Sequence, residues 1–157
     1  MYWKTFDGIP VSDDLCEWVE KVIRAENDKG YKIRICVGTD SQVHTHTIDF
    51  ASVIVFIREK QGGFMYFNKS SMRKNGMPLR ERLIMEVGKS VEIAYRINDL
   101  LVSYGVPLEV HADINRDEAC LSHVALKEAI GYIRGMGFDF KVKPYAFASS
   151  SCADRFV

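Results

Sequence analysis

Asp40, Asp113 and Glu86 occupy places where an acid needs a reason. Asp40 closes Lys32-Ile33-Arg34-Ile35-Cys36-Val37-Gly38-Thr39, a β-branched run of the kind that fills a strand covered on both faces. Asp113 closes a second run, Leu108-Glu109-Val110-His111-Ala112. Glu86 lies inside a long helical pattern. At about 100° per residue, Leu79, Leu83, Glu86, Ser90, Ile93, Ile97 and Leu101 share one narrow stripe. Glu81 and Glu92 project from the opposite side and need no explanation. A carboxylate on an apolar face costs several kcal/mol unless it meets a partner or a cation. Converging carboxylates repel one another and hold protons too tightly unless a hard cation sits between them. The chemistry implied is Mg²⁺ or Mn²⁺ held by oxygen and acting on a phosphate ester, with two ions about 4 Å apart as one arrangement. Asp154 in the tail completes the set from a fourth direction.

The elements that must position these acids can be read in order. Residues 1–11 look irregular, and Ser12 is placed to cap a helix whose apolar positions are Leu15, Trp18, Val19, Val22 and Ile23. The strand ending at Asp40 follows. Ile48 to Ile57 is the strongest strand signal, and Phe64 to Phe67 a short returning strand. Their links are too short for parallel crossovers, which predicts an antiparallel meander. The long helix runs from Pro78 to Tyr104, stopped by Gly105 and Pro107. A strand to Asp113, a helix from about Asp117 to Met136, a strand over Phe138–Phe147 and a tail that opens a short helix complete the chain. Strands joined through helices imply right-handed parallel crossovers. The fold class is α/β: a mixed sheet of three antiparallel and two parallel strands with helices on its faces, in a single domain over residues 1–157. Same-direction strands place Asp40 and Asp113 on one edge, where open α/β sheets bind ligands.

Composition narrows the function classes. With 21 Lys and Arg against 21 Asp and Glu, the balanced charge argues against a protein that coats nucleic acid through a strongly basic surface. It leaves room for a local patch. Asn68 to Arg82 carries five positive charges against one negative, including Lys69, Arg73 and Lys74. No stretch approaches the ~20 apolar residues of a membrane span, and the start has no signal-peptide pattern, so a cytoplasmic protein is expected. Cys16, Cys36, Cys120 and Cys152 form no C-x-x-C pair and read as reduced thiols.

At this point the chain resembles a known family. Strand Asp, three antiparallel strands, long-helix Glu, strand Asp and C-terminal Asp is the ribonuclease H-like layout. Val37-Gly38-Thr39-Asp40-Ser41-Gln42, His111-Ala112-Asp113-Ile114-Asn115 and the segment Lys143 to Asp154 look like the bacterial YkuK family of predicted ribonuclease H-like proteins. The resemblance covers nearly the whole chain, with the amino-terminal helix an addition before the usual first strand. It implies a divalent-metal nuclease with Asp40, Glu86, Asp113 and Asp154 in the four acidic positions.

The expected function is therefore a metal-dependent phosphodiesterase acting on nucleic acid. Asp40 and Asp113 serve as direct ligands, Glu86 as a ligand or water-holding group, and Asp154 serves the second ion. Ser41, Gln42 and Asn115 flank the acids and are placed to hold phosphates. Lys69, Arg73 and Lys74 grip the backbone. A non-catalytic module that binds nucleic acid or a protein partner is the alternative, and a phosphohydrolase for small nucleotides, which needs a deep closed pocket, is the third. His44 and His46 form an incidental H-x-H or an imidazole site, while His111 shares strand parity with Asp113 and reads as a supporting or proton-shuttling group, or as a core histidine. No Walker A loop, G-x-G-x-x-G or nucleophile elbow is present. An exposed edge at Phe64–Phe67 offers a route to oligomers.

Overall fold

The computed structural model describes residues 2–12, 14–115 and 126–157. Its elements are β1 (Lys4–Thr5), α1 (Leu15–Asp28), β2 (Ile33–Val43), β3 (Thr47–Arg58), β4 (Gly63–Arg73), α2 (Leu79–Tyr104), β5 (Leu108–Asn115), α3 (Leu126–Gly135) and β6 (Asp139–Lys143). A π turn (Ala148–Cys152) and a 3₁₀ turn (Ala153–Phe156) end the chain. Among the described residues the sheet has six strands in the order β1-β4-β3-β2-β5-β6. β2, β3 and β4 form the expected antiparallel meander, and β2, β5 and β6 run parallel.

The sixth strand is a correction. The start looks irregular in sequence, but buried Trp3 packs on Trp18 with ring centroids 5.7 Å apart. That contact lays Lys4 and Thr5 against Phe67 and Tyr66, so part of the β4 edge expected to be free is already paired. The cap of α1 is Asp14, whose side chain accepts from Glu17 N at 2.9 Å, rather than Ser12.

Two strands outrun their apolar stretches. β2 continues past Asp40 to Val43, and β4 continues through Arg73, because β3 supplies backbone partners to both as far as Ile48 and Thr47. The segment expected to be a basic loop is strand for its first half. β6 is shorter than expected: Pro144 follows Lys143 and has no N–H for a ladder. The helix after β5 is described from Leu126, with Ala129 and Ile133 buried. Its expected first part, 117–125, lies outside the described residues.

α1 and α2 cover one face of the meander through Trp18, Ile23, Ile93 and Ile97 against Ile35, Val37, Ile54 and Phe56. The apolar stripe of α2 is where its spacing puts it, and Gly105 ends the helix at φ 65°, a left-handed position that favours glycine. The terminal turns cover the other face, over Cys36, Val53 and Val55. No described helix is long and apolar enough to cross a membrane.

Candidate metal centre

β2 and β5 pair in parallel from Ile35↔Leu108 to Gly38↔His111, and there the pairing stops. β5 also shifts register against β6 between His111 and Asn115. Asp40 and Asp113 each lie two residues past the last pair, and strand alternation gives them the same face of the sheet. Asp40 is 9% exposed. Ser41, pointing the other way, meets the start of α2. The notch between diverging strands is thus reached from both faces: Glu86 comes from α2, and Asp154 from the terminal 3₁₀ turn.

Glu86 is buried with incomplete support. Ser41 Oγ donates to Glu86 Oε1 at 2.5 Å. Arg82 Nη1 donates to Ser41 Oγ at 2.7 Å but stands 3.6 Å from Glu86 Oε1. Burial pushes Glu86 up to about 8 against the pull of Ser41, and the charges of Asp40 and Asp113 add to the rise. Asp40 goes to about 7, chiefly by burial, with Asp113 and a hydrogen bond to Asp154 raising it and the Ser41 N–H lowering it. Two acids that hold protons near neutrality mark a place where negative charge lacks compensation.

Asp113 supplies the test of fit for a cation. Its Oδ1 is buried and has no hydrogen-bond partner among the described residues. Lys143 Nζ lies 3.0 Å away, an ion-pair distance, but off any hydrogen-bonding direction. A buried carboxylate oxygen held by an ion pair but by no hydrogen bond, beside two proton-holding acids, suits a hard divalent ion, which takes oxygen donors. No three of the four acids have donor atoms all within 4.8 Å of one another among the described residues. Among the described residues, the trio whose donor atoms all lie within 4.8 Å is Cys36, Glu109 and His111. That trio does not fit a metal. His111 Nδ1 accepts from Ala148 N at 3.1 Å and Nε2 pairs with Glu109 Oε2 at 3.0 Å, while burial pushes the Cys36 thiol up to about 12.

The other expected residues scatter. Ser41 is committed to Glu86 and Arg82, and Gln42 is exposed on β2. Lys69 shares a row with Asp40: Asp40 pairs with Ala51 and Ala51 with Lys69, with a small residue between the charges. Two strand spacings put Lys69 about 10 Å from Asp40 along that row. Arg73 and Lys74 lie at the far end of β4, where Lys74 N bonds His46 O. Asn115 ends β5 opposite Lys143. His44 faces Asp49 at 3.4 Å, and His46 is exposed in the β2–β3 turn. Arg82 and Lys143 are additions to the residues the sequence points to. Arg82 is signalled by its i, i+4 spacing to Glu86, whereas the Lys143–Asp113 approach joins residues on separate strands and leaves no local trace.

A cavity of about 550 Å³ opens at the other end of the sheet, between Tyr31, Arg34, Ile57 and Tyr104. None of the four acids lines it.

The ribonuclease H-like family profile matches residues 14–157. A relative from Bacillus subtilis (strain 168), described as uncharacterized protein YkuK, is 27% identical and aligns over 92% of this chain and 89% of its own length. Two solved structures align over 78% of this chain and 92% of theirs. They are LC11-RNase H1 in complex with an RNA/DNA hybrid (17% identity, TM-score 0.39) and RNase H1 from the halophilic archaeon Halobacterium salinarum NRC-1 (16%, TM-score 0.36). With the profile spanning all but the first residues and the mixed sheet in place, the chain belongs to the ribonuclease H-like family as a YkuK-like member.

Proposed function

We propose that this chain is a divalent-metal-dependent nuclease that hydrolyses phosphodiester bonds in nucleic acid. The observation that supports the reading is that Asp40 faces Asp113 and Asp154 where β2 and β5 part, with Glu86 facing Asp40 and Asp113 from α2, and that Asp40 and Glu86 are pushed to about 7 and about 8. Asp40, Asp113 and Asp154 would hold Mg²⁺ or Mn²⁺, and Glu86 would complete the set from α2. A bound ion supplies charge neutralisation and activates water toward a phosphodiester. The protein's own part is to keep the acids apart but aimed at one place. Ser41 and Arg82 steady Glu86, and Lys143 balances Asp113. Lys69 lies in the Asp40 row, where a phosphate of the strand being cut needs a cation, and Arg73 and Lys74 extend the contact along β4.

A non-catalytic nucleic-acid or protein-binding module is the second reading, favoured by the exposed position of Asp154 on the last turn. One experiment separates the two. Mn²⁺ binding is measured by calorimetry on wild type and Asp40→Asn, alongside cleavage of DNA, RNA, hybrid and branched substrates. The nuclease reading expects wild type to bind Mn²⁺ and cut, and folded Asp40→Asn to do neither. Metal binding without cleavage of any form turns the assignment to the module, and no metal binding even with nucleic acid present removes the site.

A further inference from the structure

The terminal turns that carry Asp154 rest on two adjacent residues whose types are unusual for a strand. Gly38 and His111 are the last parallel pair before β2 and β5 separate. A Cβ on Gly38 would come within 2.5 Å of Ser149 N and 2.6 Å of Ala148 C, so only glycine lets the backbone of the π turn lie directly on β2. Next to it, the buried His111 ring accepts the Ala148 N–H at Nδ1, 3.1 Å away, and meets Phe147 edge-on at 4.7 Å.

The ring's orientation is itself fixed. Arg34 Nη1 donates to Glu109 Oε1 at 3.0 Å, and Glu109 Oε2 lies 3.0 Å from His111 Nε2. A neutral ring with its proton on Nε2 satisfies both neighbours at once: it donates to Glu109 and accepts from Ala148. The turns add their own closure, since Ser149 Oγ and Ser150 Oγ both donate to Ala146 O, at 3.1 and 2.6 Å. The chain of contacts runs Arg34, Glu109, His111, Ala148, and six residues later the terminal segment presents Asp154 to Asp40.

We propose that Gly38 and His111 form a seat that sets the position of Asp154, with Glu109 fixing the ring, so that all three are positioning residues for the metal centre. This inference rests on the reading of Asp154 as a metal ligand. The seat gives Glu109 and His111 a use that needs no ion, and it accounts for the glycine inside β2.

The test is a double-mutant cycle on the full chain, with Mn²⁺ calorimetry as one readout and amide exchange of residues 146–156 as the other. His111→Phe keeps the ring volume and removes the acceptor. It is expected to speed exchange in the terminal turns and weaken Mn²⁺ about tenfold, in the range for groups that orient ligands. The same change made on Asp154→Asn is expected to cost nothing further, because the ligand it positions is already gone. His111→Gln, which offers an amide oxygen to Ala148 N–H, is expected to restore most of the affinity. If His111→Phe does not fold, Glu109→Gln loosens the ring without emptying space and should show the same non-additivity at smaller size. Equal losses with and without Asp154, or unchanged exchange at 146–156, overturn the seat alone. Failure of wild type to bind Mn²⁺ overturns the nuclease reading and this inference together.

Discussion

Glu26 and Glu86 are each 3% exposed, sit on consecutive helices against one sheet, and have opposite acid strengths. Glu26 receives Arg58 through two bonds, Nε at 2.6 Å and Nη2 at 3.0 Å, with Lys29 3.7 Å away. Those donors hold its carboxyl below the usual range despite burial. Glu86 has one hydroxyl and a guanidinium held off at 3.6 Å, and two other acids face it, so burial wins and it rises to about 8. Both side chains are almost wholly covered, but Glu86 lies deeper in the protein, so burial raises it more. The other difference is how closely the fold brings a cation: Arg58 bonds Glu26 directly, whereas Arg82 stays 3.6 Å from Glu86. At Glu26 the charge problem is solved within the chain, and at Glu86 it is left open for something from outside.

Breaking the closed pair gives the largest expected effect. Glu26→Ala removes the buried partner of Arg58 and is expected to cost about 3 kcal/mol, the lower end for a broken buried pair because the guanidinium keeps some solvent. Urea unfolding at pH 7 checks it. A loss below about 0.5 kcal/mol, typical of surface pairs, would mean that the pair is decorative and the contrast with Glu86 unfounded.

Adding the missing cation should mend the open site by nearly as much. Mn²⁺ at 100 times its Kd is expected to stabilise wild type by about 2.7 kcal/mol through linkage, read as a rise in Tm. Glu26→Ala should keep that increment and Asp40→Asn should lose it. An equal increment in Asp40→Asn would place the ion elsewhere.

Acidity separates the two glutamates in sign. The folded pKa of Glu86 lies above its ordinary 4.5, so its contribution is full below about pH 4.5 and is lost as pH rises toward about 8. Glu26 is lowered, so its contribution is full above 4.5 and is lost in acid. Metal-free wild type should therefore lose stability between pH 5 and 8. Glu86→Gln, a neutral stand-in, should flatten that slope and be more stable than wild type by about 2 kcal/mol at pH 8, a discounted share of 1.4 kcal/mol per pKa unit. Tm against pH for both proteins, without metal, decides it. A wild-type curve flat from pH 5 to 8 contradicts the uncompensated site.

What the sequence disclosed and what it concealed follow the same division. Glu86 was legible because helical phase is local: seven residues of α2 are enough to see an acid on the apolar stripe. Asp40 and Asp113 were legible as acids closing apolar strands. Their common edge required only the rule that crossovers keep strands parallel. The partners that separate Glu26 from Glu86 were not legible, since Arg58 and Glu26 lie 32 positions apart and any of several arginines could have been the one. The extensions of β2 to Val43 and of β4 to Arg73 escaped for a related reason. Most of their residues are polar, and only pairing with β3 makes them strand. β1 depended on Trp3 meeting Trp18, and Asp154 on a backbone resting against Gly38.

Lys69 gives the smallest effect and sharpens the contrast most. Arg58 neutralises its acid by touching it, whereas Lys69 shares a row with Asp40 but is exposed, with Ala51 between them. Its charge acts on Asp49, and the proposed function gives it a phosphate to meet. Lys69→Gln is accordingly expected to change unfolding stability by less than about 0.5 kcal/mol, as for an exposed surface position. In nucleic-acid binding it should weaken affinity similarly for all sequences and reduce the salt slope by about 1, the signature of one lost phosphate contact. Titrations at several salt concentrations, with Mn²⁺ withheld or replaced by Ca²⁺ to prevent cutting, measure both. A destabilised Lys69→Gln with unaltered salt slope would make Lys69 another Arg58, a cation spent on the fold, and the grip on nucleic acid would have to come from elsewhere on the sheet.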